Sequence, residues 1–325
     1  MKPYLGFWEQ LKKPFFVLAP MDDVTDAAFR RIIAKYGCPD VTWTEFVSAD
    51  GLCHPVGREA ILPKLWFDES ERPIVAQLFS AFPEKMREAA KLACELGFDG
   101  IDINMGCPDK AINKQGAGAA CILDFRKAQE LIRAAREGAR DAGKELPVSV
   151  KTRLGWDTDI LEEWLPALLE ASPAVVTIHA RTRKEMSDVP ARWERVARAV
   201  EIAKGSGTLI TLNGDVRDIG HARKLVAETG ADGAMLGRAI FGNPWLFDEA
   251  KGAVSVEEKL RVMVEHTMLY EELFADVKSF DLMKKHFGAY ATGFSGAKEL
   301  RVRLMSAKNA TEVSEGVENF LASRD

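Results

Sequence analysis

Cys107 stands in Asn104-Met105-Gly106-Cys107-Pro108, just past an apolar run, on a turn shaped by Gly106 and Pro108. An unperturbed thiol has a pKa of about 8.5, so at neutral pH it is mostly protonated and can act as a general acid. Cys94 and Cys121, in alanine-rich surroundings, read instead as small buried hydrophobes. Lys151 lies midway along Val148-Ser149-Val150-Lys151-Thr152-Arg153. It could form a Schiff base, or it could hold a permanent positive charge beside an electron-rich ring. His179, in Thr177-Ile178-His179-Ala180-Arg181, could be a core histidine; beside Lys151 on the next strand it becomes a ligand contact. Asn213-Gly214-Asp215 and Gly237-Arg238 have the make-up of an anion site, with glycines that admit backbone N–H groups and a guanidinium that adds charge. Phosphate is the expected occupant.

These residues need elements that bring them together. Eight short, nearly continuous apolar runs are expected to be strands: Phe15–Pro20, Val41–Phe46, Pro73–Phe79, Gly100–Gly106, Pro147–Arg153, Ala174–Ala180, Thr208–Gly214 and Gly233–Arg238. Helix-period segments lie between them, among them Pro83–Leu96, Phe125–Ala142, Ile160–Ala171 and Ile219–Thr229. Repeated alternation of strand and helix predicts an α/β fold, a (β/α)₈ TIM barrel. An open doubly wound sheet would suit a G-x-G-x-x-G turn after the first strand, which this chain lacks. Barrel active sites are built at strand C-termini. Met21, Glu45, Gln77, Asn104 with Cys107, Lys151, His179, Asn213 with Asp215, and Gly237 with Arg238 fall there in turn. A buried Lys, Gln or Asn is costly unless partnered, so these intrusions describe one site.

Beyond Trp245 the strands stop. Ser255 followed by Glu258 reads as a capping box opening a new helix. Residues 1–251 are therefore expected to be the barrel, and 252–325 a small all-helical C-terminal domain. The 325 residues suit a barrel plus something smaller; 47% of them are hydrophobic and 29% charged, enough for a sizeable core. No apolar run approaches the ~20 residues of a membrane span, and the first residues lack a secretory signal, so a cytoplasmic protein with no membrane association is expected. The five cysteines include no C-x-x-C pair, so no metal is expected and the thiols read as free. The net charge of −5 gives no global hint of nucleic acid. Residues 278–308, however, carry seven basic and two acidic side chains.

The motifs then carry a family resemblance. Leu18-Ala19-Pro20-Met21 with Val24-Thr25-Asp26 and Phe29-Arg30, and Asp102 through Pro108, resemble the tRNA-dihydrouridine synthases. So do Gly116-Ala117-Gly118-Ala119, Val150 through Arg153, Ile178 through Arg183, Asn213-Gly214-Asp215, and Gly237 through Trp245. The match runs from about residue 15 to 250 and resumes more weakly near Lys285-His286 and Glu299-Leu300-Arg301. The resemblance implies an FMN enzyme that reduces the C5–C6 double bond of selected uridines in tRNA, with NADPH as electron donor. It implies that Pro20, Met21, Gln77, Lys151 and His179 contact the flavin ring and ribityl chain, and that Asn213, Asp215, Gly237 and Arg238 line its phosphate end. It further implies hydride transfer to uracil C6, protonation of C5 by Cys107, and uracil contacts from Asn104 and Arg181. The uridine must leave its stack to reach a barrel mouth. The basic stretch, with Lys284, Lys285 and Arg301, becomes the expected tRNA contact. The protein is expected to be monomeric.

Asp22-Asp23 and Asp109 stand where the family more often has small residues, and place carboxylates near the flavin edge and the thiol. On the residues alone three alternatives stay open: an FMN barrel reducing a free pyrimidine, a flavin-free Schiff-base lyase using Lys151, and a non-catalytic RNA-binding barrel.

Overall fold

The structure is a computed structural model and describes residues 2–324. Among the described residues nine strands form one parallel sheet: β1 (Phe15–Leu18), β2 (Thr42–Trp43), β3 (Val47–Ser48), β4 (Ile74–Phe79), β5 (Gly100–Met105), β6 (Val148–Arg153), β7 (Val175–His179), β8 (Leu209–Asn213) and β9 (Gly233–Leu236). The hydrogen-bonded order is β1-β9-β8-β7-β6-β5-β4-β2, with β3 also on β4. A parallel bridge between Val17 and Val41 joins β1 to the start of β2, and the Leu18 N–H donates to the Val41 carbonyl at 3.2 Å. The sheet thereby closes into the expected TIM barrel.

The second expected strand, Val41–Phe46, is shorter in the structure: β2 covers only Thr42–Trp43, and after a break β3 begins past its expected end at Val47. Thr44 ends β2 because its hydroxyl, rather than its carbonyl, accepts the Gln77 N–H at 3.1 Å while donating to the Glu45 carbonyl at 2.8 Å. The break turns the fully buried Glu45 carboxylate toward the turn after β1, where it accepts the Asp23 N–H at 2.8 Å.

Helices cover the barrel. Asp26, Asp124 and Asp218 cap the helices Ala27–Gly37, Phe125–Asp141 and Ile219–Thr229, each accepting a first-turn N–H. Successive strand residues face opposite sides of the sheet, and this alternation builds two cores. Phe16, Leu18, Ile101, Ile103, Val148 and Val150 pack outward against the helices. Phe15, Val17, Trp43, Val75, Val175, Leu209 and Met235 fill the barrel's lower interior, sealed by Trp8 from the N-terminal segment. The inward positions nearer the mouth are polar: Gln77, Asp102, Asn104, Ser149, Lys151, Thr177, His179, Thr211 and Asn213. Strands that read as near-continuous apolar runs are thus apolar outward and polar inward in their upper half.

The helices Val256–Phe274, Lys284–Tyr290, Ala297–Ser306 and Ala310–Ala322 form the C-terminal helical region. It shares the outer core: the Phe29 ring stacks on His266 at 4.8 Å and meets His286 edge-on at 4.7 Å. Among the described residues no helix is long and apolar enough to cross a membrane.

Candidate active site

The pairing register sets the site. β5 and β6 place Asn104 beside Lys151, and β7 and β8 place His179 beside Asn213. These strand ends open onto a cleft that Pro20, Met21, Lys151, His179, Asn213, Asp215, Gly237 and Arg238 all line. The hollows lined by Lys12, Arg223 and Phe247 and by Pro166 and Ile202 lie away from the strand C-termini and hold none of these residues.

Lys151 has neither a hydrogen bond nor an ion pair among the described residues. Burial, and next the guanidinium of Arg153, lower its pKa from the ordinary lysine value to about 8. An ammonium placed against another cation and left without a partner is arranged to receive an anion. His179 accepts a hydrogen bond at Nε2 from Arg181 at 3.0 Å. A guanidinium can only donate, so His179 is the neutral Nδ1–H tautomer. Burial and the surrounding cations Arg153, Lys151, Arg181 and Arg238 push its pKa far down and keep it neutral. Gly214 makes this contact possible. A Cβ there would lie 2.9 Å from His179 Cδ2 and 3.3 Å from Arg181 Nη1, and its φ of +112° already disfavours any other residue.

Arg181 is buried and its donors are engaged by His179, by the Val189 carbonyl at 2.5 Å and by the Asp215 carboxylate. Asp215 also accepts from Arg238 at 2.7 Å and from the Ala191 N–H at 3.1 Å. The Asn213 amide donates to the Met235 carbonyl at 2.9 Å, and no group among the described residues donates to its oxygen. Gln77 does not line the cleft. It lies beneath it, receiving the Asn104 amide at 3.0 Å and donating to Asp102 at 2.6 Å, while Ser149 donates to the other Asp102 oxygen at 2.5 Å. This buried chain ends at Asn104 Oδ1, which accepts the N–H groups of Gly106 (3.1 Å) and Cys107 (2.9 Å). The loop that carries the thiol is therefore fixed from the barrel interior.

Burial is the main cause that raises the Cys107 pKa, against the opposing pull of the Asp109 N–H, Lys151 and Arg153. The thiol stays protonated. Arg153 braces the same loop, donating to the Gly106 carbonyl at 2.7 Å and to the carbonyls of Thr182 and Met186. Asp109 caps the short helix Lys110–Lys114 through the N–H groups of Ala111 and Ile112. Asp102, Ser149 and Arg153 were given no role by sequence reasoning. The signal for them was their position, two residues apart on strands whose other face is apolar.

The basic stretch is less uniform than its composition implies. Lys278 is buried against Glu45 at 2.9 Å, and so is removed from the surface patch. Lys284 pairs with Asp281 at 2.6 Å, Lys285 lies 3.8 Å from Asp23, and Arg301 donates to the Ala291 carbonyl at 2.6 Å. Asp22 pairs with Lys64 rather than facing the cleft alone.

A sequence model described as dihydrouridine synthase matches residues 17–324. The chain belongs to the dihydrouridine synthase family. A probable tRNA-dihydrouridine synthase 2 of Bacillus subtilis is 41% identical over 319 residues, covering 97% of this chain and 96% of that one. A probable tRNA-dihydrouridine synthase of Staphylococcus epidermidis is 40% identical over 325 residues, covering 98% of each. Among solved structures, a morphinone reductase in complex with tetrahydroNAD superposes with a TM-score of 0.51 at 14% identity, covering 76% of this chain and 88% of that one. A 2-naphthoyl-CoA reductase in complex with 2-naphthoyl-CoA gives 0.52 at 14%, covering 72% and 49%. These two likenesses bear on the barrel fold alone. In this dihydrouridine synthase family member, the cleft and the thiol loop share one rim.

Proposed function

We propose that this protein reduces the C5–C6 bond of uridines in tRNA to 5,6-dihydrouridine, with FMN in the β6–β9 cleft and NADPH as the electron source. The observation that carries the reading is the partnerless Lys151 ammonium on the same rim as the protonated Cys107 thiol, each within the other's electrostatic reach. The names of the two bacterial relatives support tRNA as the substrate.

The cleft's donor set fits FMN. Lys151, the His179 Nδ1–H and the Arg238 guanidinium all offer positive charge or a hydrogen to an acceptor-rich anion, and Gly214 and Gly237 admit close approach. Lys151 and His179 would hold the ring, and Asn213, Gly237 and Arg238 the ribityl–phosphate end, with Asp215 orienting Arg238. When bound and reduced, a flavin supplies hydride to uracil C6. The chain's own part is to place the base and provide the proton. Asn104, locked by Gln77, orients the uracil and the Cys107 loop together. The Cys107 Sγ–H gives its proton to C5, and the resulting thiolate is stabilised by Lys151 and Arg153. Arg181 acts through His179 and Asp215 rather than as a free donor. Lys284, Lys285 and Arg301 contribute to the phosphate-backbone contact, and catalysis on tRNA places the protein in the cytoplasm.

The test combines two measurements. The purified protein should release FMN on denaturation, identified by absorbance and mass. Incubation with NADPH and unmodified tRNA should yield dihydrouridine by nucleoside mass spectrometry. Cys107→Ala should keep its flavin and its reduction by NADPH but lose at least a hundredfold in dihydrouridine formation, the low end of general-acid effects being about that size. A colourless protein, or undiminished turnover in that variant, would overturn the reading.

A further inference from the structure

The turn after β1 carries Met21 to the cleft and then passes through Asp23, whose φ of 53° lies in the left-handed region. Aspartate is one of the few residues with a Cβ that visits this region, and here a partner for its backbone N–H helps to determine it. The determining group is Glu45. Its carboxylate is fully buried, and its two oxygens have different tasks. Oε1 accepts the Asp23 N–H at 2.8 Å, and Oε2 accepts from Lys278 Nζ at 2.9 Å. Lys278 belongs to the helical region. It follows the helix Val256–Phe274 and reaches Glu45 across the Phe274 ring, 5.0 Å from its centroid, with only 9% of its side chain exposed.

We infer that Glu45 and Lys278 are positioning residues for the cleft: one buried ion pair from the helical region holds the turn from Met21 to Asp26 in its binding shape. The cofactor side of this inference rests on the flavin cleft proposed above. A buried ion pair adds little net stability, because desolvation offsets the attraction, so its distinctive contribution is geometric. The surroundings reinforce this. Asp22, Asp23 and Asp26 crowd Glu45 with further carboxylates, and the other nearby cations are less well placed, Lys64 at 3.7 Å from Glu45 and Lys285 at 3.8 Å from Asp23. Without Lys278 the Glu45 carboxylate is driven outward, and the Asp23 N–H loses its acceptor. Neutralising both partners avoids this, since a glutamine at position 45 keeps an oxygen for the Asp23 N–H and leaves no charge to expel.

The experiment titrates apoprotein with FMN by flavin fluorescence, well below the unfolding midpoint of each variant. In parallel it follows amide hydrogen exchange at Asp23 with no flavin added. Lys278→Met should weaken FMN binding about tenfold and speed exchange at Asp23. The double variant Glu45→Gln/Lys278→Met should return both to within about threefold of the parent. Lys35→Met, which removes an exposed pair with Glu265 between the barrel and the helical region, should change neither. Parental FMN affinity and Asp23 exchange in Lys278→Met would overturn the inference. So would a double variant no better than Lys278→Met. If the parent itself takes up no FMN, the flavin reading fails, while the exchange rates still decide whether Lys278 holds the turn.

Discussion

At Lys151 and Cys107 the local surroundings act in opposite senses on charge. Burial makes the ammonium easier to deprotonate, with a pKa near 8, and makes the thiol harder to deprotonate. For Lys151 the sign is clear: the cation is present below about pH 8 and lost above it. FMN affinity should therefore fall as pH rises through this value in the parent, and should lose that dependence in Lys151→Met, as a binding titration across pH will show. For Cys107 the acid form persists to beyond the ordinary thiol range of about 8.5, so single-turnover reduction of tRNA should decline only on the alkaline side of it. Gly214 shows how little space the site leaves. Gly214→Ala drives a methyl group into His179 and should lower flavin retention at least tenfold in gel filtration of the loaded protein.

Among the elements, the strands do more than support the loops. β4, β5 and β6 carry the chain Asn104–Gln77–Asp102–Ser149 inside the barrel, and burial raises Asp102 to a pKa of about 6. Its folded value lies above its unfolded one, so its contribution favours the folded state at low pH. That contribution is lost as pH rises from about 4 through about 6, and linkage puts it at roughly 3 kcal/mol. Asp102→Asn should flatten the pH dependence of the melting temperature in that window, and calorimetry from pH 4 to 7 will measure it. The barrel seam is equally specific. A Cβ on Gly233 would stand 2.3 Å from the Phe15 ring and 2.4 Å from its carbonyl oxygen, where β9 meets β1.

Across the whole molecule, the barrel and the helical region share one core. Phe29 on the first barrel helix packs against both His266 and His286, which also meet each other edge-on and are both neutral because burial holds their pKa values down. Gly242 lets the barrel exit touch the helical region, since a Cβ there would be 2.4 Å from the Ala289 carbonyl oxygen. Phe29→Ala should cost about 3–5 kcal/mol, the usual range for emptying a buried aromatic site. In denaturant the circular dichroism and tryptophan fluorescence transitions should coincide and shift together. Separate transitions would show that the two regions unfold independently.

Much of this protein is legible without its fold. The alternation of apolar runs and helical periods specifies the barrel, because hydrophobic periodicity is a local property of the chain. Residues at strand ends such as Lys151, His179 and Arg238 stand out for the same reason. What the sequence could not reveal is which donors remain free, because pairing depends on residues far away in the chain. Arg181 is occupied by Asp215, 34 positions later, and Lys278 is withdrawn from a basic surface by Glu45, 233 positions earlier. Gln77, expected at the cofactor, is enclosed by Asp102 and Asn104. Closure of the barrel made those assignments, because it brings together polar groups that must each find a partner out of water.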